Sequence, residues 1–214
     1  MNKILSASLA AIMLSTAASA SCSSMGFYTG AAISENFTHN KYVNDKKNRL
    51  KVRAKIGADL FVGYGGKING TCTTFGVEFR AGSIFGKTNF KPNDTEEQTS
   101  LKTKYQLGLF ALVGYEFTPG WEAGVVAGAN ATQYELKISE DKNSVAKKKV
   151  KFQPEAGLYV KAQLTDMFSL RLDGTYVFKA KVALPKADIA KVDHKITKYD
   201  TKGWKVRLAG IFNF

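Results

Sequence analysis

The 214-residue chain is poor in several residue types. It has two cysteines, which excludes a disulfide-dense scaffold and an all-cysteine zinc site. It has two histidines, His39 and His194, and neither sits in a compact catalytic motif. Acidic residues are outnumbered, 18 Asp+Glu against 31 Lys+Arg. Beyond the first twenty residues no segment carries a sustained apolar stripe of helical period. Aromatics are plentiful, with 14 Phe, 9 Tyr and 2 Trp in a chain that is 44% hydrophobic. That composition excludes disorder and suits one domain of moderate size. A formal charge of +13 taken alone points to nucleic acid, so the placement of the charge has to decide.

Residues 1–20 read as an export signal. Lys3 is followed by an uncharged Ala/Leu/Ile/Met/Ser stretch that ends in Ala18-Ser19-Ala20, the small-x-small pattern of signal-peptidase cleavage. Cleavage is expected after Ala20, with 21–25 left as an N-terminal tail. Lipidation of Cys22 is the weaker reading, since Ser19 stands where a lipoprotein signal wants an aliphatic residue. The uncharged stretch runs on to Ser34, but its second half is too rich in Gly and Ser for an uncleaved anchor. Export places the mature chain outside the cytoplasm, and no specific nucleic-acid partner is expected.

Alternation of period two recurs along the mature chain. Apolar residues occupy Val52, Ala54, Ile56, Ala58, Leu60, Val62 and Tyr64, then Tyr105 through Phe117, Phe152 through Leu164, Phe168 through Phe178, and Trp204 through Phe214. Phe75–Ala81 and Trp121–Ala129 alternate less cleanly, and the phase of the first strand, from about Gly26 to Phe37, is not assignable. Each is a two-faced strand. Pro154, which lacks a ladder donor, predicts a bulge. Eight strands of about ten residues exceed the ~5–6 usual in soluble sheets. Short turns near 65–70, 118–120 and 165–167 alternate with long polar connections near 38–50, 87–102, 136–149 and 181–202. The expectation is an all-β fold, an eight-stranded antiparallel up-and-down transmembrane β-barrel over 26–214, with both termini at the short-turn end and four long extracellular loops.

Periodicity alone does not say which face is inside. The charged face carries Asp59, Glu78, Glu116, Glu122, Glu155 and Asp173 with Arg53, Lys55, Arg80, Lys161, Arg171, Lys205 and Arg207, and Lys104 and Lys179 fall in the same phase. The other face is aliphatic, nearly free of charge through its middle, and aromatic at both ends. A lipocalin-like binder would turn the aliphatic face inward. Two aromatic belts around an aliphatic band read instead as lipid interfaces. The interior set Asp59, Glu78, Arg80, Glu116, Glu122, Glu155, Arg171, Asp173 and Arg207 is then expected to form a self-neutralising plug, because eight strands leave an interior filled by side chains. A narrow porin-like channel is the alternative.

The final run, Trp204-Lys-Val-Arg-Leu-Ala-Gly-Ile-Phe-Asn-Phe214, alternates to a terminal Phe. It resembles the assembly signal of bacterial outer-membrane barrels, with Phe212 and Phe214 as its apolar end. The pattern over about 26–214 resembles the small eight-stranded family of OmpX, the transmembrane domain of OmpA and the Opa-type surface proteins. That resemblance implies an outer-membrane location, contact with outer-membrane lipids and lipopolysaccharide, and handling by periplasmic chaperones and the barrel assembly machinery. Unlike full-length OmpA, the sequence stops at the barrel.

The charge partitions sharply on this topology. Residues 39–51, 87–104, 135–151 and 179–202 hold 22 Lys+Arg against 10 Asp+Glu, and the rest of the mature chain holds 8 against 8. Lys46, Lys47, Arg49, Lys147, Lys148, Lys149, Lys195 and Lys198 are the candidates for binding anionic ligands, including host glycans or cell surfaces. The plainer reading is a solvated rim that neutralises the anionic outer leaflet. Lysine predominates over arginine, which favours diffuse electrostatics over bidentate recognition. The expected role is a structural envelope protein with adhesion or anionic-ligand binding through these loops. The enzymatic barrels of this size, the lipopolysaccharide deacylases and palmitoyl transferases, need His and Ser near the outer rim. His39 and His194 with Ser34 and Ser100 make no compact pair, so neither an enzyme nor a cofactor or metal site is expected. Cys22 and Cys72 both fall at the periplasmic end, where oxidation is permitted. They form either a bridge tying the tail to the third strand or two independent thiols.

Overall fold

The computed structural model describes residues 26–42, 53–68, 70–90, 98–140, 143–183 and 198–214. The strands are β1 (Gly26–Tyr42), β2 (Arg53–Lys67), β3 (Thr73–Ile84), β4 (Lys87–Phe90), β5 (Gln98–Thr118), β6 (Trp121–Glu140), β7 (Asn143–Gln163), β8 (Phe168–Ala183) and β9 (Lys198–Asn213). No helix occurs among the described residues. Every neighbouring pair is antiparallel, in the order β3-β2-β1-β9-β8-β7-β6-β5-β4, and pairing of β3 with β5 closes the cylinder. Both β3 and β4 pair along β5. They make one stave of an eight-stranded barrel, interrupted at Phe85-Gly86, where Gly86 takes φ +110°. Closure satisfies the backbone polar groups across the membrane without leaving a sheet edge there.

The pleat puts the apolar phase outside. Leu60 is 68% exposed and Leu158 66%, whereas Glu78 and Glu155 are 0% and 1% exposed. This is a soluble protein's burial inverted, and it rejects the lipocalin-like arrangement. The first strand acquires its phase: Ala32, Ser34 and Asn36 face inward, and Ile33 and Glu35 outward. Glu35 is therefore a carboxylate on the outer wall, paired across to Ile56 and Val206.

Three details differ from the sequence reading. First, β6 and β7 stay in register through Ala129 and Pro154, so the bulge expected at Pro154 is absent. The β7–β8 ladder instead ends at Glu155 and Val177, and the residue without an N–H stands just past that end. Second, bulges occur where none was expected, at 103–106 in β5 and 177–180 in β8. An extra residue shifts the pleat, so Lys104 and Lys179, assigned inward from their phase, lie on the outer wall beside Tyr105 and Phe178. Third, much of the long-loop sequence is strand. Residues 136–140 and 143–149 continue β6 and β7 as a hairpin, and 38–42, 87–90, 98–102, 181–183 and 198–202 extend their strands in the same way.

Candidate functional site

Alternate residues of eight strands, β1 to β3 and β5 to β9, converge on the barrel axis, because period-two geometry sends every second side chain inward. At the centre four carboxylates (Asp59, Glu78, Glu155, Asp173) meet four cations (Arg80, Arg171, Lys205, Arg207). Arg207 bridges most of them, lying 3.2 Å from Asp59, 3.1 Å from Asp173 and 3.7 Å from Glu155. Arg171 donates to both Glu78 oxygens and pairs with Asp173 at 2.8 Å. Arg80 reaches Glu78 at 2.7 Å and Asp173 at 3.8 Å. Lys205 donates to Glu155 at 3.0 Å. The cluster is charge-balanced, and buried charges persist only when paired in this way.

Neutral groups complete it. The Tyr28 hydroxyl donates to Glu78 at 3.0 Å, the Gln106 amide to Asp59 at 2.8 Å, and Asn130 and Thr175 to Glu155 at 2.6 Å each. The Arg80 guanidinium lies 4.0 Å from the centroid of the inward Phe110 ring. Two carboxylates expected in the same network stand apart toward the short-turn end. Glu116 accepts from Lys67 at 3.0 Å and from the Gly120 N–H at 3.1 Å. Glu122 pairs with Lys161 at 2.5 Å and accepts from the Tyr159 hydroxyl. The Arg53 side chain lies outside what is described.

The central cluster separates two unequal spaces. A cavity of about 390 Å³ opens at the short-turn end, lined by Tyr28, Lys67, Glu116, Glu122, Tyr159 and Lys161 among others. On the other side is a space of about 30 Å³ among Asn36, Lys55, Thr132, Tyr134, Gln153 and Lys205, roughly the share of one water in the liquid. The paired charges of the central cluster lie between these two spaces.

The loop-end candidates divide. Lys46, Lys47, Arg49 and Lys195 lie outside the described residues. Lys147, Lys148 and Lys149 are consecutive in β7, opposite Leu136, Glu135 and Tyr134. A strand alternates its faces, so this run is not one continuous patch: Lys148 is exposed on the outer wall, and half-buried Lys149 has the opposite phase. Lys198 pairs with Ala183 at the start of β9. Ser34 is buried inside the barrel and accepts from Asn36 at 3.1 Å; Ser100 lies near the start of β5, opposite Lys137. His39 pairs with Lys202 in backbone register, and His194 is not among the described residues. Cys72 is exposed in the β2–β3 turn, and Cys22 falls outside the described residues. At the C-terminus Phe212 packs on Phe168 with ring centroids 5.2 Å apart, and the Phe214 N–H donates to the Phe27 carbonyl at 3.1 Å. Alternation located the charged members of the plug. Its neutral members, Tyr28, Gln106, Asn130 and Thr175, share the same phase and could have been found by reading every inward residue rather than only the ionisable ones.

An aliphatic exterior with a buried ionic axis is the inside-out arrangement of a lipid-embedded barrel, and residues 6–212 match the family model described as "Outer membrane protein beta-barrel domain". The chain belongs to that family. No curated protein matches this outer-membrane barrel in sequence. Among solved structures, Neisserial surface protein A is similar at 12% identity and a TM-score of 0.50, covering 90% of this chain and 100% of that one. OprG of Pseudomonas aeruginosa aligns at 13% identity and a TM-score of 0.49, covering 91% and 98%. Ail, the attachment invasion locus protein of Yersinia pestis, solved with the heparin analogue sucrose octasulfate, aligns at 13% identity and a TM-score of 0.46, covering 88% and 99%. At such identities the likeness to Neisserial surface protein A speaks for the fold alone. The family and fold support an outer-membrane location.

Proposed function

We propose that this outer-membrane barrel is a structural envelope protein that binds anionic ligands, acidic or sulfated glycans above all, through its Lys-rich extracellular end. The single observation that carries the reading is the partition of charge. Residues 39–51, 87–104, 135–151 and 179–202, the long connections of the sequence with their strand ends, hold 22 Lys+Arg against 10 Asp+Glu, while the remaining mature chain is balanced at 8 against 8. Neutralising the anionic outer leaflet also calls for positive charge at such a rim, and the binding reading adds to it a polyanion beyond the membrane. A positive rim attracts polyanions over about a Debye length, ~8 Å at physiological salt. Flexible lysine heads suit repeating anionic polymers better than one rigid small ligand. The short-turn end faces the periplasm in this reading, residues 1–20 are removed on export, and the terminal Phe212 and Phe214 serve recognition by the assembly machinery after periplasmic chaperones deliver the chain.

The test is retention on immobilised heparin across a salt gradient, comparing the wild type with Lys147→Glu/Lys148→Glu/Lys149→Glu. Salt-sensitive retention that the triple substitution removes, with barrel assembly unchanged, supports the reading. Retention that ignores salt contradicts it. The plug argues against the channel alternative, since its four carboxylates and four cations lie between the two internal cavities.

A further inference from the structure

The central cluster balances four carboxylates against four cations, and one buried cation is left outside that balance. Lys55 of β2 faces the barrel interior and is 8% exposed. Among the described residues its ammonium makes no ion pair and no hydrogen bond. Its backbone is held: the Asn36 amide donates to the Lys55 carbonyl at 3.3 Å and to the Ser34 hydroxyl at 3.1 Å. Those bonds fix where the side chain starts and leave its charge unanswered. A buried charge persists only when something of opposite sign meets it.

Lys55 borders the space of about 30 Å³ on the side of the cluster away from the short turns, together with Lys205, Thr103, Thr132 and Gln153. The wall is rich in donors. Lys205 uses one of its ammonium N–H groups on Glu155, at 3.0 Å, and keeps the others. Gln153 accepts from the Tyr134 hydroxyl through Oε1, so its Nε2 remains a donor. Thr103 and Thr132 bring buried hydroxyls. The carboxylate that pairs with Lys205 is already covered: Glu155 accepts from Asn130 and Thr175 at 2.6 Å each and lies 3.7 Å from Arg207.

We propose that this space is a site for one small monovalent anion, chloride in ordinary media, held by Lys55 and Lys205 with the Gln153 amide and the Thr132 hydroxyl. Size and charge choose the occupant together. A space near the volume of one water admits a halide and is too small for a tetrahedral sulfate or phosphate. Water alone would satisfy hydrogen bonds and leave the Lys55 charge unbalanced. The anion ties β2 to β6, β7 and β9 and extends the neutral plug toward the long connections. The site is independent of what the basic rim binds.

The test is urea unfolding of the barrel refolded in phosphatidylcholine vesicles, with sodium chloride replacing sodium gluconate at constant ionic strength. We expect the unfolding midpoint to rise saturably with chloride. Lys55→Met should lose that response and be no less stable than the wild type in gluconate, because it deletes the unanswered charge. Thr132→Val keeps the charge and loses one donor, so the chloride needed for half the effect should rise about tenfold, the scale of a hydrogen bond to a charged group. Lys102→Gln, exposed on β5, should respond as the wild type does. Crystals grown in sodium bromide should show an anomalous peak beside Lys55. Equal midpoints for the wild type in chloride and gluconate overturn the proposal. An undiminished chloride response in Lys55→Met does so as well, since a general salt effect would then explain it, and an unshifted requirement in Thr132→Val removes the assigned site. A wild-type crystal without bromide in the space makes water the occupant and also overturns it.

Discussion

Replacing Arg207 by methionine should be among the most destabilising single changes in the barrel. Its guanidinium is 2% exposed and answers Asp59, Asp173 and Glu155 at once. Without it four buried carboxylates face three cations, and Asp59 loses its guanidinium while the neutral Gln106 amide goes on donating to it at 2.8 Å. Removing one member of a buried ion pair costs ~3–5 kcal/mol, because the remaining charge is left uncompensated. Methionine preserves most of the volume, so little of that loss is attributable to a cavity. The assay is equilibrium urea unfolding of the refolded barrel in lipid vesicles, read by tryptophan fluorescence and by the fraction of folded mobility on gels. The pairing itself is tested by Asp59→Asn/Arg207→Met, which restores three carboxylates against three cations. That variant should lose less than Arg207→Met alone, with a coupling energy of about 0.5–3 kcal/mol. A cost below about 1 kcal/mol for Arg207→Met, or a double variant whose loss is the sum of the two singles, would refute the argument that charge balance holds the centre together.

Three further expectations follow from the same geometry. Leu60→Arg, on the aliphatic wall, should cost ~2–4 kcal/mol in lipid and lower the outer-membrane yield; a change within ~0.5 kcal/mol, normal for an exposed residue of a soluble protein, would count against lipid contact. In planar bilayers the wild type should show no discrete conductance steps; steps that change with Glu78→Gln would turn the plug into a gated pore. If Cys22 and Cys72 are bridged, as we propose for an oxidising compartment, thiol titration of the unreduced, denatured protein returns none, and two titratable thiols would dispose of the bridge.

Much of this was written in the sequence because the barrel obeys one rule, alternation, from β2 to the last residue. Leu60 and Asp59, or Val206 and Arg207, are assigned to opposite faces by parity alone. The rule is silent where neither parity is distinctive: β1 is mostly small and uncharged between Gly26 and Ser34, so its phase emerged only when Tyr28 was found bonded to Glu78. It misleads where a residue is inserted. Nothing in the string Val-Phe-Lys-Ala announces the β8 bulge, and after it every parity assignment changes sides, as Lys179 did. The long connections looked like loops because they are polar, yet beyond the bilayer both faces of a hairpin are solvated and polar strands cost nothing. The grouping of the plug was likewise hidden, since parity places Glu116 and Glu122 inside without saying that they stand near the short-turn end, away from Glu78.

The central claim is that the apolar face lies outward in lipid and the ionic face inward. Gel mobility of washed outer membranes, unboiled against boiled in detergent, tests it most directly. The account predicts a band that shifts on boiling, because a closed ladder of eight staves resists detergent until heat opens it. An unshifted band, with the protein recovered in the soluble periplasmic fraction, would contradict it.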